Sequence, residues 1–287
     1  MAVILGLLAS ITYGGADFLG GLASRRAHVF TVVLVSQLTG TLLLVVTLPF
    51  FLDDDYSHDA VAWGAAAGVA GAFGVTALFK GLAKGRMSVV APITGTVAAG
   101  LPVIVGLVSG ERPSGVALTG VIVALVSVVL VSASEHGVED DEAERPGAPG
   151  IMAQGMPEAL TAGASFGLFF IFLDNAGDAA GLWPLVGARA SSITVMGVAL
   201  LVARAPIRPP VGTLQMIAGA GVLDVAANLF YLLATRRGLL SLVAVLTSMY
   251  PATTVVLARI VLKEKLTRIQ LAGLLLAGAG IAAIAAG

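Results

Sequence analysis

Asp224, Asn228 and Tyr231 fall at i, i+4 and i+7 within a single long apolar run. In a helix such positions stack one above another, so an acid, an amide and a phenol would share one stripe. Asp224 lies roughly a dozen residues from either end of its run. If the run crosses a bilayer, an ionisable group at that depth costs at least about 2.5 kcal/mol and needs a partner or a water-filled cavity. The stripe therefore either lines a polar pocket, where the carboxylate can hold a cationic group or a proton, or knits helices together by hydrogen bonds. Arg189 sits five or six residues into the preceding run. It can pair with Asp224, offer its guanidinium fork to a carboxylate, or snorkel to the nearer interface. Ser10, Tyr13 and Asp17, at i, i+3 and i+7, repeat the pattern near the start of the chain. Asp17 either joins the pocket or pairs with Arg25 and Arg26. Gln37, Thr94, Thr247, Ser248 and Tyr250 add neutral groups, although Ser and Thr commonly bond back to their own preceding turn.

The elements that carry these residues follow from composition. The chain has 287 residues, 57% hydrophobic and 11% charged, against about 25% charged in a soluble domain. That excludes a water-soluble fold and a disordered chain alike. A net charge of −1 gives no basic field for nucleic acid. With no cysteine there is no disulfide, thiolate metal site or cysteine nucleophile. About 20 apolar residues span a bilayer as a helix, and ten runs of that order occur, near 2–23, 29–51, 60–83, 87–109, 115–134, 157–177, 182–203, 211–235, 239–262 and 269–286. They lack the alternation of a membrane barrel, so the expected fold is an all-α integral membrane bundle of ten transmembrane helices. The first run has no basic leader and holds Asp17, which reads as a span rather than a signal peptide. Lys80, Lys84 and Arg259 end their runs and can snorkel; Asp174 and Asp178 end the sixth and are expected in water.

An acidic linker rich in proline and glycine, 135–156, separates a first unit, 1–134, from a second, 157–287. The units align without a gap at a constant offset of 153: Gly14 on Gly167, Gly68 on Gly221, Ser88 on Ser241, Thr94 on Thr247, Glu111 on Glu264. This reads as an internal duplication. A unit of five spans begins and ends on opposite sides, so its copy inserts upside down, and inverted repeats are a hallmark of secondary transporters. Such a carrier would rock its two halves about a substrate held between spans 1, 3, 6 and 8. Loops after the odd spans carry eleven cations and the other side three. By the positive-inside rule the odd loops face the cytoplasm, with both termini outside. Pro92, Pro102 and Pro251 lie inside the fourth and ninth spans, which correspond in the repeat, and either kink them or are tolerated passively, with matched kinks the expectation. Gly64-Ala-Ala-Ala-Gly68 fits close helix packing.

Ten spans in two five-span units, Tyr13-Gly14 in the first, Ser165-Phe166-Gly167 at the matching place, and Gly110-Glu111-Arg112 and Lys263-Glu264-Lys265 closing spans four and nine together resemble the drug/metabolite transporter superfamily, EamA branch. The resemblance covers the chain apart from the linker. It implies a secondary carrier in a bacterial inner membrane, moving amino acids, other small metabolites or toxic compounds through a central cavity, without a cofactor. It also implies cytoplasmic termini, opposite to the cation bias here, and the Asp53-Asp54-Asp55 loop stands where many members are basic. The family supplies no universal coupling acid. Glu111 and Glu264 match the family mark at span ends and are read as interfacial, capping or gating groups.

Other function classes fit less well. His28, His58 and His136 all lie in or at loops, so no histidine stands at membrane depth for a serine protease, and no His-Glu-x-x-His occurs. Asp17 and Asp224 are the one pair open to an intramembrane aspartyl hydrolase. A non-transporting scaffold would not need a charge at a helix centre. No Walker motif is present. The expectation is a carrier of a small-molecule substrate, an exporter with a possible proton coupling, seated in the lipid bilayer and binding no nucleic acid.

Overall fold

The computed structural model describes residues 1–51, 56–84, 87–132, 155–177, 181–262 and 268–286, all helices and short connections with no strand among the described residues. The helices are α1 (Ala2–Ser24), α2 (Val29–Thr47, extended by a 3-10 turn at Leu48–Phe51), α3 (His58–Lys84), α4 (Met87–Val108), α5 (Gly115–Ser132) and α6 (Met156–Asp174). There follow α7 (Trp183–Val202), α8 (Leu214–Thr235), α9 (Leu240–Thr247), α10 (Tyr250–Val261) and α11 (Arg268–Ala286). Seven segments are long and apolar enough to cross a membrane, with Leu240–Val261 counted as one. α4, α5 and α11 supply three shorter apolar stretches. All but the last two residues of the 135–156 linker lie outside the described residues.

Local signals set the ends. α6 begins after Gly155, whose φ of 87° is open to glycine, and carries Pro157 in its first turn; α7 likewise starts with Pro184. The two proline-bearing spans differ, against the expectation of matched kinks. α4 runs through Pro92 and Pro102 without interruption, whereas the ninth run stops at Thr247 and restarts at Tyr250. The Ser248 N–H still bonds the Ala244 carbonyl at 2.8 Å and the Met249 N–H that of Leu246 at 3.3 Å, so α9 closes on itself. Pro251 then occupies the first turn of α10, where its missing N–H would have no helical partner anyway. The Pro92 side chain is outside the description.

The two halves of the sequence are interleaved rather than set side by side. α1 packs along α8 and touches α9 and α10, and α2 also lies on α8. α3 packs along α6 and α7, and α4 along α6, while α5 pairs with α11. The result is a first bundle of α1, α2, α8, α9 and α10 and a second of α3, α4, α6 and α7, each drawn from both halves. Blocks 1–134 and 157–287 are therefore not separately packed bodies in this fold. Small residues make the close crossings: a methyl group on Gly64 or Gly68 would run into the carbonyl oxygens of Pro184 or Ala188, and one on Gly221 into that of Ser36. Lipid is as apolar as leucine, so such backbone approach, not hydrophobic burial, holds these helices together.

Candidate functional site: a central cavity between two bundles

A cavity lies where the bundles face each other. The first bundle contributes Tyr13, Asp17, Gln37, Asp224, Asn228 and Tyr250. From the second come the small residues of α3, three phenylalanines of α6, and Leu185, Ala188, Arg189 and Ser192 of α7. One wall is thus polar, and the other apolar except at Arg189 and Ser192. The space amounts to about 620 Å3 with its open mouth included, an upper bound that restricts any occupant to a small molecule.

Arg189 turns inward. It shares the buried face of α7 with Leu185, Ala188, Ser192 and Met196, at i, i+3/i+4 spacing, and only 6% of it is exposed. One guanidinium nitrogen donates to Asp224 Oδ2 at 2.6 Å and the other to Gln37 Oε1. Asn228 Nδ2 donates to the same Asp224 oxygen at 3.2 Å and to the Asp224 carbonyl at 2.7 Å. The Tyr13 hydroxyl donates to Asn228 Oδ1 at 2.6 Å. A continuous network therefore runs from α1 through α8 to α7 and on to α2. The Asp224 side chain stays 21% exposed, so it is reached from the cavity. Snorkelling by Arg189 is not the arrangement found.

Asp17 is 7% exposed and faces the cavity without a hydrogen bond or ion pair among the described residues, away from Arg25 and Arg26, which are exposed at the helix end. Tyr231 shares the helical stripe of Asp224 but stands behind the wall. It is fully buried, its hydroxyl donates to the Phe170 carbonyl at 3.1 Å, and its ring lies 4.5 Å from that of Phe170. It orients an apolar wall residue and does not face the cavity. Ser10 is buried nearby, outside the lining.

Thr94 bonds back to Val90 O at 2.9 Å and across to Ala159 O at 3.2 Å, joining α4 to α6. The hydroxyls of Thr247, Ser248 and Tyr250 are buried without a partner among the described residues. Lys80, Lys84 and Arg259 are exposed, and Lys84 pairs with Glu158 at 3.3 Å. Asp174 is half-buried; Asp178 lies outside the described residues.

Glu111 caps a helix from afar. α4 ends with Gly110 at φ 98°, the Glu111 N–H bonding Gly106 O at 2.9 Å and the Gly110 N–H bonding Leu107 O at 3.2 Å, a Schellman closure. That turn aims the Glu111 carboxylate at the start of α9, where it accepts from Leu240 N at 2.6 Å and Ser241 N at 3.0 Å. Glu264 lies outside the described residues. Two contributions were not anticipated from sequence: Gln37 as the second acceptor for Arg189, and the Phe166, Phe169 and Phe170 wall. The phenylalanines were traceable, since they recur at i, i+3 and i+4 in the sixth run.

The profile of the EamA-like transporter family matches the chain twice, over residues 1–133 and 154–286. No curated protein matches the sequence. One solved crystal structure, whose description states no activity, is similar with a TM-score of 0.68 at 16% identity, over 98% of this chain and 95% of that one. At that identity the likeness speaks for the fold alone. With both halves matched and apolar helices throughout, the chain is an integral, multi-pass membrane protein that belongs to the EamA-like transporter family.

Proposed function

We propose that this protein is an alternating-access secondary transporter of the cell membrane that exports a small metabolite related to the amino acids, with proton coupling. In this reading the Tyr13, Asn228, Asp224, Arg189 and Gln37 network is the binding and coupling site. The observation that carries it is the Arg189–Asp224 pair. Arg189 belongs to one bundle, and Asp224 and Gln37 to the other, so separating the bundles breaks a buried pair. Removing one partner of such a pair costs about 3–5 kcal/mol. A substrate group or a proton that satisfies Asp224 in place of Arg189 lowers that cost, which couples occupancy to opening.

An inverted duplication fits the same reading. The two family matches begin 153 residues apart, the offset that aligns Glu111 with Glu264. At that offset the most extensive helix contacts have images: α3 on α7 with α8 on α2, α4 on α6 with α9 and α10 on α1, α1 on α8 with α6 on α3, and α5 on α11 with itself. The operation exchanges the two bundles, which are then the bodies that rock. The cation bias supports a topology with the odd loops in the cytoplasm and the termini outside.

The test is flux. Proteoliposomes holding a mixed radiolabelled load of amino acids, nucleosides and sugars are compared for wild type and Asp224→Asn, with and without a pH gradient. Selective loss of one class through wild type, reduced at least tenfold in the variant and changed by the gradient, is the expected result. Equal flux through a folded Asp224→Asn sinks the site assignment.

A further inference from the structure

We infer that the cavity takes an organic monocation, an amine on an apolar body without a free carboxylate, whose ammonium is countered by Asp17. The inference rests on the transport reading of this cavity and narrows its substrate class. The groups that face Asp17 set the charge balance. Arg189 and Asp224 neutralise each other at 2.6 Å, Gln37 and Asn228 are neutral, and the other titratable side chains of the wall are the phenols of Tyr13 and Tyr250. The cavity faces of α3 and α6 present no titratable group. Among the described residues Asp17 is thus the unmatched acid of the cavity, 93% buried on the 7% exposure given above, with no hydrogen bond or ion pair.

A bare carboxylate at membrane depth is costly. It holds either a proton or a cation from the cavity, and one site cannot hold both. An ammonium suits the remaining surroundings. Tyr13 stands one turn before Asp17, its ring 6.4 Å from those of both Phe170 and Tyr250, so three aromatic rings line the cavity that Asp17 faces and can receive a cation. The phenylalanines of α6 offer apolar surface to the rest of the ligand. While the Arg189–Asp224 pair is closed, a ligand carboxylate finds no such place, because the guanidinium that could bind it serves Asp224 and Gln37.

The test uses the purified full-length protein in detergent and three probes that share a phenyl ring and short chain: phenethylamine, phenylalanine and hydrocinnamate. Binding is followed by calorimetry across pH in weak buffer. The expected result is phenethylamine binding at least tenfold tighter than the other two, tightening as pH rises, with proton release on binding. Asp17→Asn should weaken phenethylamine about tenfold or more and abolish the proton release, while Asp17→Glu keeps both. Proton release from the wild type is informative even if Asp17→Asn fails to fold. Equal binding of hydrocinnamate or phenylalanine, no loss in a folded Asp17→Asn, or no binding of phenethylamine overturns the inference. Phenethylamine bound but not moved across proteoliposomes sinks the transport reading and leaves Asp17 as the ammonium site. Flux of another load without amine binding overturns the inference alone.

Discussion

Replacing Glu111 should loosen a helix to which it is not covalently close. α9 has eight residues, its N-cap Leu239 offers no side-chain acceptor, and two of its first amides are instead taken by the Glu111 carboxylate at 2.6 and 3.0 Å. A hydrogen bond to a charged group contributes about 1.5–3 kcal/mol, and an anion at a helix N-terminus adds about 0.3–1 kcal/mol. Glu111 is half-buried, so solvent screening places the pair at the low end, and Glu111→Ala should cost about 2–3 kcal/mol. Glu111→Gln keeps one acceptor oxygen and should cost about 1 kcal/mol. At about 2–4 °C per kcal/mol in a large domain, the alanine variant should melt roughly 5–10 °C lower in the same detergent. Hydrogen–deuterium exchange supplies the local readout, with faster exchange over 240–247 and little change in α11. An alanine variant that melts within about 1 °C of wild type and exchanges like it over 240–247 would refute the long-range cap.

Three further outcomes follow from other contacts. Arg189→Met should destabilise the protein by about 3 kcal/mol, the low end for a buried pair because the Asp224 side chain is 21% exposed to the cavity, and adding Asp224→Leu should restore most of the melting temperature; a double variant less stable than the single would contradict a paired network. Gly68→Val should lower stability by about 3 kcal/mol, since the new side chain meets the Ala188 backbone, whereas Gly197→Ala, with open space at the same position, should melt at or slightly above wild type; similar melts for the two would discount the glycine crossing. In the cysteine-free background, Asp54→Cys should react with impermeant maleimide from outside intact cells, and labelling only after permeabilisation would reverse the proposed orientation.

The spans could be read in advance because length and unbroken apolarity are one-dimensional properties. The depth of Asp224 and the tight pair Gly64 and Gly68 were legible for the same reason. Direction and partner are three-dimensional. Arg189 was equally able to snorkel or turn inward until α2 and α8 supplied Gln37 and Asp224. Tyr231 sits at the right helical angle for the cavity, yet one turn beyond Asn228 the stripe meets Phe170 rather than open space. Matched prolines in spans four and nine suggested matched kinks, but a break also depends on whether the preceding turn closes, as it does at Ser248 and Met249. Interleaving of the halves was invisible, because a helix face rich in glycine does not say which neighbour will occupy it.

Interleaving also bears on the order in which the molecule comes into being. α1 finds its main neighbour in α8, which ends at Thr235, some 200 residues after Ser24 closes α1. At a synthesis rate of about 5–20 residues per second, α1 waits roughly 10–40 s in the bilayer before its partner exists, and α3, which packs on α6 and α7, roughly 5–25 s. Each span can satisfy its own backbone in the meantime. The nascent half, however, keeps its glycine faces and Asp17 turned to lipid or to provisional neighbours until the second half arrives, so the most exposed moment in the life of this protein falls during its own translation.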